Sequence, residues 1–247
     1  MDLGISGRTA AVAGASSGLG RASAEALVAE GARVVVCGRD RARIDAAAAE
    51  IGGDVVALVA DVSTIEGATT FVTDATEALG HLDILVTNAG GPPPGSFAST
   101  DLDAYVAAVQ LNLLSTVAMC KAAIPAMQER GWGRVVAITS ATVQQPEPQL
   151  ILSNTARTGA TAFLKTVATE VAPDGVTVNW AQPGFHDTPR LADLGIDLEA
   201  LAQSVPTRSI GDAADFGSIV AFLCSEPAKY VTGTGIRVDG GRTLGLP

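Results

Sequence analysis

Basic residues are scarce in this chain. Sixteen lysines and arginines stand against 26 aspartates and glutamates, a formal charge of −10 with a pI near 4.6. A nucleic-acid surface needs clustered cations to face phosphates, so that class of partner is not expected. No lysine-rich run or basic helix points to a membrane surface. Cysteine is equally sparse. Cys37, Cys120 and Cys224 lie far apart in apolar stretches, as buried free thiols in a reducing compartment would, and not as a disulfide framework or zinc site. No metal is expected. No apolar run approaches the ~18 residues of a spanning helix. The first eight residues carry acid and glycine where a signal peptide needs a basic start and an apolar run. A cytoplasmic protein without membrane contact is the expectation. Repeats of 20–50 residues and low-complexity tracts are also lacking.

What is present is material for a large core. Apolar residues make up 47% and charged residues 17%, which argues against disorder. The length of 247 residues suits a single domain, residues 1–247, of doubly wound α/β type. Short β-rich runs fall at 9–13, 33–37, 55–59, 84–87, 135–139, 176–180 and 236–238. Most are apolar without alternation, as expected of parallel strands covered on both faces. Between them lie helical stretches at 21–30, 41–51, 65–79, 102–129, 153–171 and 213–225. A helix after nearly every strand predicts right-handed crossovers, hence one open parallel sheet of Rossmann type with helices on both faces. Three glycine- or proline-rich breaks, at 90–95, 144–149 and 183–188, each follow a strand at its carboxyl end, the edge where such sheets bind ligands.

The first strand runs into Gly14-Ala15-Ser16-Ser17-Gly18-Leu19-Gly20, and a helix follows. Glycines permit the sharp turn and let backbone approach a pyrophosphate, while the helix N-terminus offers free N–H groups and positive dipole. The spacing G-xxx-G-x-G differs from G-x-G-x-x-G, yet its place between first strand and first helix points to a dinucleotide. After the second strand the chain reads Cys37-Gly38-Arg39-Asp40-Arg41. The acid that would bond a ribose 2′-hydroxyl is absent at position 37. Arg39 and Arg41 can instead face a 2′-phosphate, which favours NADP(H); the alternative makes Asp40 a helix N-cap and leaves both arginines solvated.

At this point the chain resembles the short-chain dehydrogenase/reductase family. The matching pieces are Gly14 to Gly20, Asp61-Val62, Asn88-Ala89-Gly90, Asn112, Ser140, Pro183-Gly184 with Thr188, and Asp239-Gly240-Gly241, in order across nearly the whole chain. The resemblance implies that Asp61 and Val62 hold the adenine and that Asn88, Ala89 and Gly90 support the sheet beside the cofactor. It implies that Thr188 holds the nicotinamide carboxamide, Asn112 props a proton-relay water and Ser140 orients the substrate carbonyl. It further implies a homotetramer or homodimer packed through the two long helices.

The family's proton donor is a tyrosine followed four residues later by a lysine. On the register fixed by Glu170, 176–179 and Pro183-Gly184, those positions are Ser153 and Arg157. The chain's tyrosines, Tyr105 and Tyr230, lie in segments that cannot supply the donor. Arg157 keeps a cation for the nicotinamide ribose but gives up no proton. Ser153 is a poor general acid because an aliphatic hydroxyl titrates far from operating pH. One helical turn separates them, so they share a face. The proton can be supplied by an already protonated acceptor such as an iminium, by water beside Asn112, by His186 in the 183–188 loop, or by Glu147 if burial raised its pKa. Residues 144–149 form the expected substrate wall, with Leu150, Ile151, Leu152, Leu191 and Leu194 adding apolar surface. Residues 188–204 form the expected lid. The reading is an NADP(H)-dependent oxidoreductase acting on a small carbonyl/alcohol or imine/amine with a non-standard proton donor. A non-catalytic dinucleotide sensor or assembly partner, or a non-redox enzyme on the same scaffold, are the alternatives that loss of the tyrosine–lysine pair leaves open.

Overall fold

The computed structural model describes residues 1–192 and 197–245. Its strands are β1 (Thr9–Val12), β2 (Arg33–Gly38), β3 (Val56–Val59), β4 (Ile84–Thr87), β5 (Gly133–Ile138), β6 (Val176–Pro183) and β7 (Gly235–Val238). They form one sheet, order β3-β2-β1-β4-β5-β6-β7, with every pairing parallel. The helices are α1 (Gly18–Ala29), α2 (Arg41–Ile51), α3 (Ile65–Leu79), α4 (Leu102–Val109), α5 (Ser115–Glu129), α6 (Ile151–Val171), α7 (Pro189–Ala192), α8 (Leu198–Gln203) and α9 (Ala213–Leu223).

The strands read as apolar runs because alternate side chains bury on opposite faces. Ala11, Val35, Leu85, Val135 and Val178 meet Phe71 of α3, Met119 and Met127 of α5, and Leu164 of α6. Ala10, Val12, Val34, Val36, Ile84 and Val136 meet Leu27 of α1, Ile44 of α2, and Phe216 and Val220 of α9. Each such side chain contributes about 1.5–3 kcal/mol on burial, so the two cores fix the sheet as the rigid base of the site. The three cysteines are free and buried, and burial pushes each thiol up to about 12, as inert core residues.

Two expectations about elements are corrected. The stretch 102–129 is not one regular helix: a π-type turn, Gln110–Leu114, joins α4 to α5. Nothing in the apolar spacing betrays it, because one widened turn leaves the pattern on the same side. The joined helix Leu102–Glu129 is also long and apolar enough, by length and composition, to cross a membrane, contrary to the expectation that no run would be. Met119, Cys120, Ala123 and Met127 on α5 spend that apolar character on the core. Of the expected lid 188–204, residues 193–196, and with them Leu194, lie outside the described residues; the rest includes α7 and α8.

At the amino edge of the sheet an ionic cluster ties the base together. The Arg8 and Arg134 guanidiniums flank the Trp132 ring at 3.8 and 4.2 Å, and Trp132 Nε1 donates to Glu226 at 2.6 Å. His81 lies here, 3.3 Å from Asp83, opposite the ligand edge.

Candidate active site

The order β3-β2-β1-β4 reverses direction between β1 and β4, and a crevice opens there at the carboxyl ends. A cleft of about 560 Å³ fills it, lined by Gly14, Ser16, Ser17, Gly38, Arg39, Asp61, Val62, Ala89 and Gly90 among others. Gly14 and Gly18 have φ of +59° and +58°, a conformation open to glycine at little cost. Gly20 answers a different need. A Cβ there would stand 2.5 Å from the Gly14 carbonyl oxygen and 2.7 Å from Asn88 Nδ2. Asn88 braces the turn by donating to the carbonyls of Ala13 (3.3 Å) and Gly14 (3.1 Å). The α1 N-terminus thus meets the cleft through bare backbone, a cradle fitted to a pyrophosphate.

At the adenosine end the two arginines part. Asp40 caps α2 by accepting from Arg43 N at 2.9 Å, and Arg41 pairs with Asp45 at 3.4 Å. Arg39 lines the cleft. The N-cap reading is therefore right for Asp40 and the phosphate-facing reading is left to Arg39 alone. Asp61 stays ionised: a hydrogen bond from Ser63, with Arg39 adding its charge, holds its carboxyl below the usual carboxylate range.

Asn112 sits in the π-type turn and is buried. Its Nδ2 donates to the Gly90 carbonyl at 3.0 Å, while its Oδ1 is buried without a protein partner. Gly159 of α6 lets this turn come close, since a Cβ there would meet Leu113 at 3.2 Å. Ser140 lies two residues beyond β5 and caps the turn Ala141–Val143, accepting from Thr142 N at 3.2 Å, with its Oγ 2.9 Å from Thr142 Oγ1.

The expected start of α6 at 153 moves back to Ile151, which puts Ser153 in the first turn. Ser153 is buried, and neighbouring Leu152 and Ala156 pack with Ala108 of α4. Arg157, one turn on, reaches across to donate through Nη1 to the Thr139 carbonyl, just before Ser140. Its Nε is buried without a partner. Burial, and the Arg190 charge second, press its pKa down to about 10, which still leaves a cation at neutral pH. Asn112, Ser140, Ser153 and Arg157 are thus gathered around the ends of β4 and β5.

Two candidate acids fare differently. His186 follows Pro183-Gly184, but it is buried, with its ring edge-on to Phe216 at 5.2 Å and against Gly211. Burial lowers its pKa. The geometry gives no support to His186 as the proton donor; in sequence, a loop histidine beside the site could not be told from one tucked under α9. Glu147 is ion-paired with Arg242, which ties its side chain to the C-terminal segment. Thr188 does reach the cofactor side: its Cγ2 would stand 3.5 Å from a Cβ on Gly18.

The expected substrate-wall loop 144–149 is joined by two other segments. The Gly95 amide donates to the Gln149 carbonyl at 2.8 Å, so the 90–95 break is more than a surface turn. The C-terminal segment latches on through Arg242, over the Phe185 ring at 4.4 Å, and through Leu244 N, donating to Gln145 at 2.9 Å. Sequence reasoning missed Arg242, Arg190 and the cleft residues Ser63, Thr64 and Gln110. Arg190 had a signal, a cation two residues after Thr188 in an acidic chain. Gln110 had none, because only the π-type turn aims it.

A parallel sheet with its ligand crevice at the β1/β4 reversal and a glycine cradle on α1 defines a dinucleotide-binding enzyme of Rossmann type. The sequence profile of the family described as Enoyl-(Acyl carrier protein) reductase matches residues 14–243. Human dehydrogenase/reductase SDR family member 4 is 33% identical over 244 residues, covering 96% of this chain and 88% of that protein. A 3-oxoacyl-acyl-carrier-protein reductase of Haemophilus influenzae is 33% identical over 241 residues, 97% of this chain and 100% of the relative. Among solved structures, L-sorbose reductase from Gluconobacter frateurii, complexed with NADPH and L-sorbose, superposes with TM-score 0.94 at 32% identity, covering 100% of both chains. YwfH, an NADPH-dependent reductase involved in bacilysin biosynthesis, gives 0.93 at 26%, covering 98% of this chain and 100% of the other. The chain belongs to the short-chain dehydrogenase/reductase family and is an oxidoreductase of that type.

Proposed function

We propose that the protein is an NADP(H)-dependent oxidoreductase acting on a small carbonyl/alcohol or imine/amine, with a proton route that uses neither tyrosine nor histidine. The carrying observation is the retained cradle and Asn112–Ser140 pair beside a Ser153–Arg157 pair that holds a cation but no acid. Gly14 to Gly20 would hold the pyrophosphate, Arg39 the 2′-phosphate, Asp61 and Val62 the adenine, and Arg157 and Thr188 the nicotinamide half. When bound, the cofactor supplies or accepts hydride. Ser140 orients the acceptor by donating from its hydroxyl. The Arg157 cation stabilises negative charge developing on that acceptor without surrendering a proton. Asn112 Oδ1, unpaired and buried, holds the water that delivers the proton, unless the acceptor arrives protonated as an iminium. NADPH bound in G. frateurii L-sorbose reductase and the NADPH dependence of YwfH support the cofactor choice. Exposed Phe97, Leu102 and Val106 near and along α4 support a homo-oligomer packed on that helix.

Arg39→Ala tests the cofactor. A lost charge-assisted contact is worth about 1.5–3 kcal/mol, so NADPH affinity falls about 10–100-fold while NADH affinity changes little. Equal losses for both, read by fluorescence titration, refute the assignment of Arg39. Turnover is read as loss of nicotinamide absorbance with ketones, aldehydes and imines; NADPH binding with no turnover of any of them favours the sensor reading.

The placement of His186 makes a second prediction, for stability. Its ring is buried and its pKa is lowered by that burial. As pH falls below about 6.5 the unfolded chain takes a proton that the folded ring refuses, so stability is present above that pH and lost below it. His186→Ala should cost about 2 kcal/mol at pH 8 and flatten the acid-side decline in melting temperature. The pH profile of turnover should keep its shape. A profile that loses an ionisation in the variant restores His186 as the proton donor.

A further inference from the structure

Arg157 and Arg190 both lack an acidic partner among the described residues. Arg190 donates through Nη2 to the Pro92 carbonyl at 3.0 Å, and its guanidinium lies so close over Gly91 that a Cβ there would meet it at 2.6–2.9 Å. Arg157 donates to the Thr139 carbonyl, and its Nε is buried with no partner. Among the described residues no carboxylate lies within 4.0 Å of either guanidinium. Burial lowers the Arg157 pKa to about 10, and the Arg190 charge adds to that. In a chain of net charge −10, the buried Arg157 cation with its unpartnered Nε, with the exposed Arg190 cation near enough to act on it, makes a place suited to an anion that arrives from outside.

We propose that this anion is a carboxylate on the substrate, next to the reacting carbon, so that the substrate class is a 2-oxo or 2-imino acid. The inference rests on the oxidoreductase reading above. Position separates the substrate from the cofactor's own phosphates as the source of charge. The phosphate cradle is at the end of β1, whereas Arg157 sits at the end of β5, two strands and about 10 Å away. It stands beside Ser140 and Ser153, at the reacting centre. Arg190 comes over Gly91 and Pro92, which follow the intervening strand β4. A planar carboxylate fits a guanidinium fork, and holding it there would set the carbon beside the Ser140 hydroxyl.

The experiment uses the full chain loaded with NADP⁺, so that no turnover occurs, and compares pyruvate with its neutral methyl ester by calorimetry. NADP⁺ binding is titrated first; if it fails, the dinucleotide reading falls and this inference with it. With NADP⁺ bound, pyruvate should bind at least about tenfold tighter than methyl pyruvate, as for one desolvated charge pair. Arg190→Gln should reduce that preference below about twofold while changing NADP⁺ affinity less than about threefold, and Arg190→Lys should restore part of it. Equal binding of acid and ester, or none of either, overturns the proposal while leaving the cofactor reading intact. Pyruvate bound to the free protein and displaced by NADP⁺ also overturns it, because the guanidiniums would then belong to the cofactor diphosphate.

Discussion

Gly20→Val should lower NADPH affinity by about 100-fold, the equivalent of about 2.7 kcal/mol of strain and displaced backbone. The smallest side chain at position 20 already collides: its Cβ would lie 2.5 Å from the Gly14 carbonyl oxygen and 2.7 Å from Asn88 Nδ2. Neither neighbour is a flexible tip. The carbonyl is backbone, and the amide is held by its own bonds to Ala13 and Gly14. Relief requires α1 to move away from the end of β1, which withdraws the N–H groups that would face the pyrophosphate. Fluorescence titration of NADPH reads the loss, and a thermal melt in parallel separates it from unfolding. Gly18→Ala is the milder control, since it forces a side chain into φ +58°, costing about 1 kcal/mol, but meets only Thr188 at 3.5 Å or more. A Gly20→Val protein that folds and binds NADPH as tightly as the parent would show that α1 does not hold the cofactor.

The second large effect is a gain. Ser153→Tyr combined with Arg157→Lys should raise reduction of a neutral ketone by about 100-fold, the lower end of what a positioned general acid contributes. The two positions are one helical turn apart on α6 and share a face. Lysine, unlike arginine, can pass a proton and lower the pKa of a neighbouring phenol. Room is the physical constraint, because Ser153 is buried and a ring there needs more space than a hydroxymethyl group. NADPH affinity and melting temperature of the double variant therefore accompany the rate. An unchanged rate in a folded, NADPH-binding variant would mean that the substrate pocket, and not the proton donor, is what has diverged. Ser153→Tyr alone should gain less, because Arg157 donates to the Thr139 carbonyl and cannot enter a relay.

Much of this was legible in the residues. The alternation of apolar runs with helical stretches determined the parallel sheet, since a strand with no polar face must be covered on both sides. The glycine turn between first strand and first helix determined the cradle, because glycine conformations and close approach leave a mark in composition itself. Ser153 and Arg157 stand one turn apart on α6, and their reading as replacements for the family's tyrosine and lysine rests on a register anchored by Glu170 and Pro183-Gly184, which the variants above test. Tertiary structure alone decided the rest. Arg39 rather than Arg41 lines the cleft because Asp45, one turn along α2, claims Arg41. His186 turned from the site because Phe216 and Gly211, more than twenty residues on, offered its ring an apolar berth. Glu147 found its partner in Arg242, 95 residues away. Arg190 of α7 came to lie over Gly91 and Pro92, about a hundred residues earlier in the chain. Local pattern fixes which backbone conformations and faces a segment takes. Which charge meets which is settled between segments distant in the chain, where no spacing rule reaches.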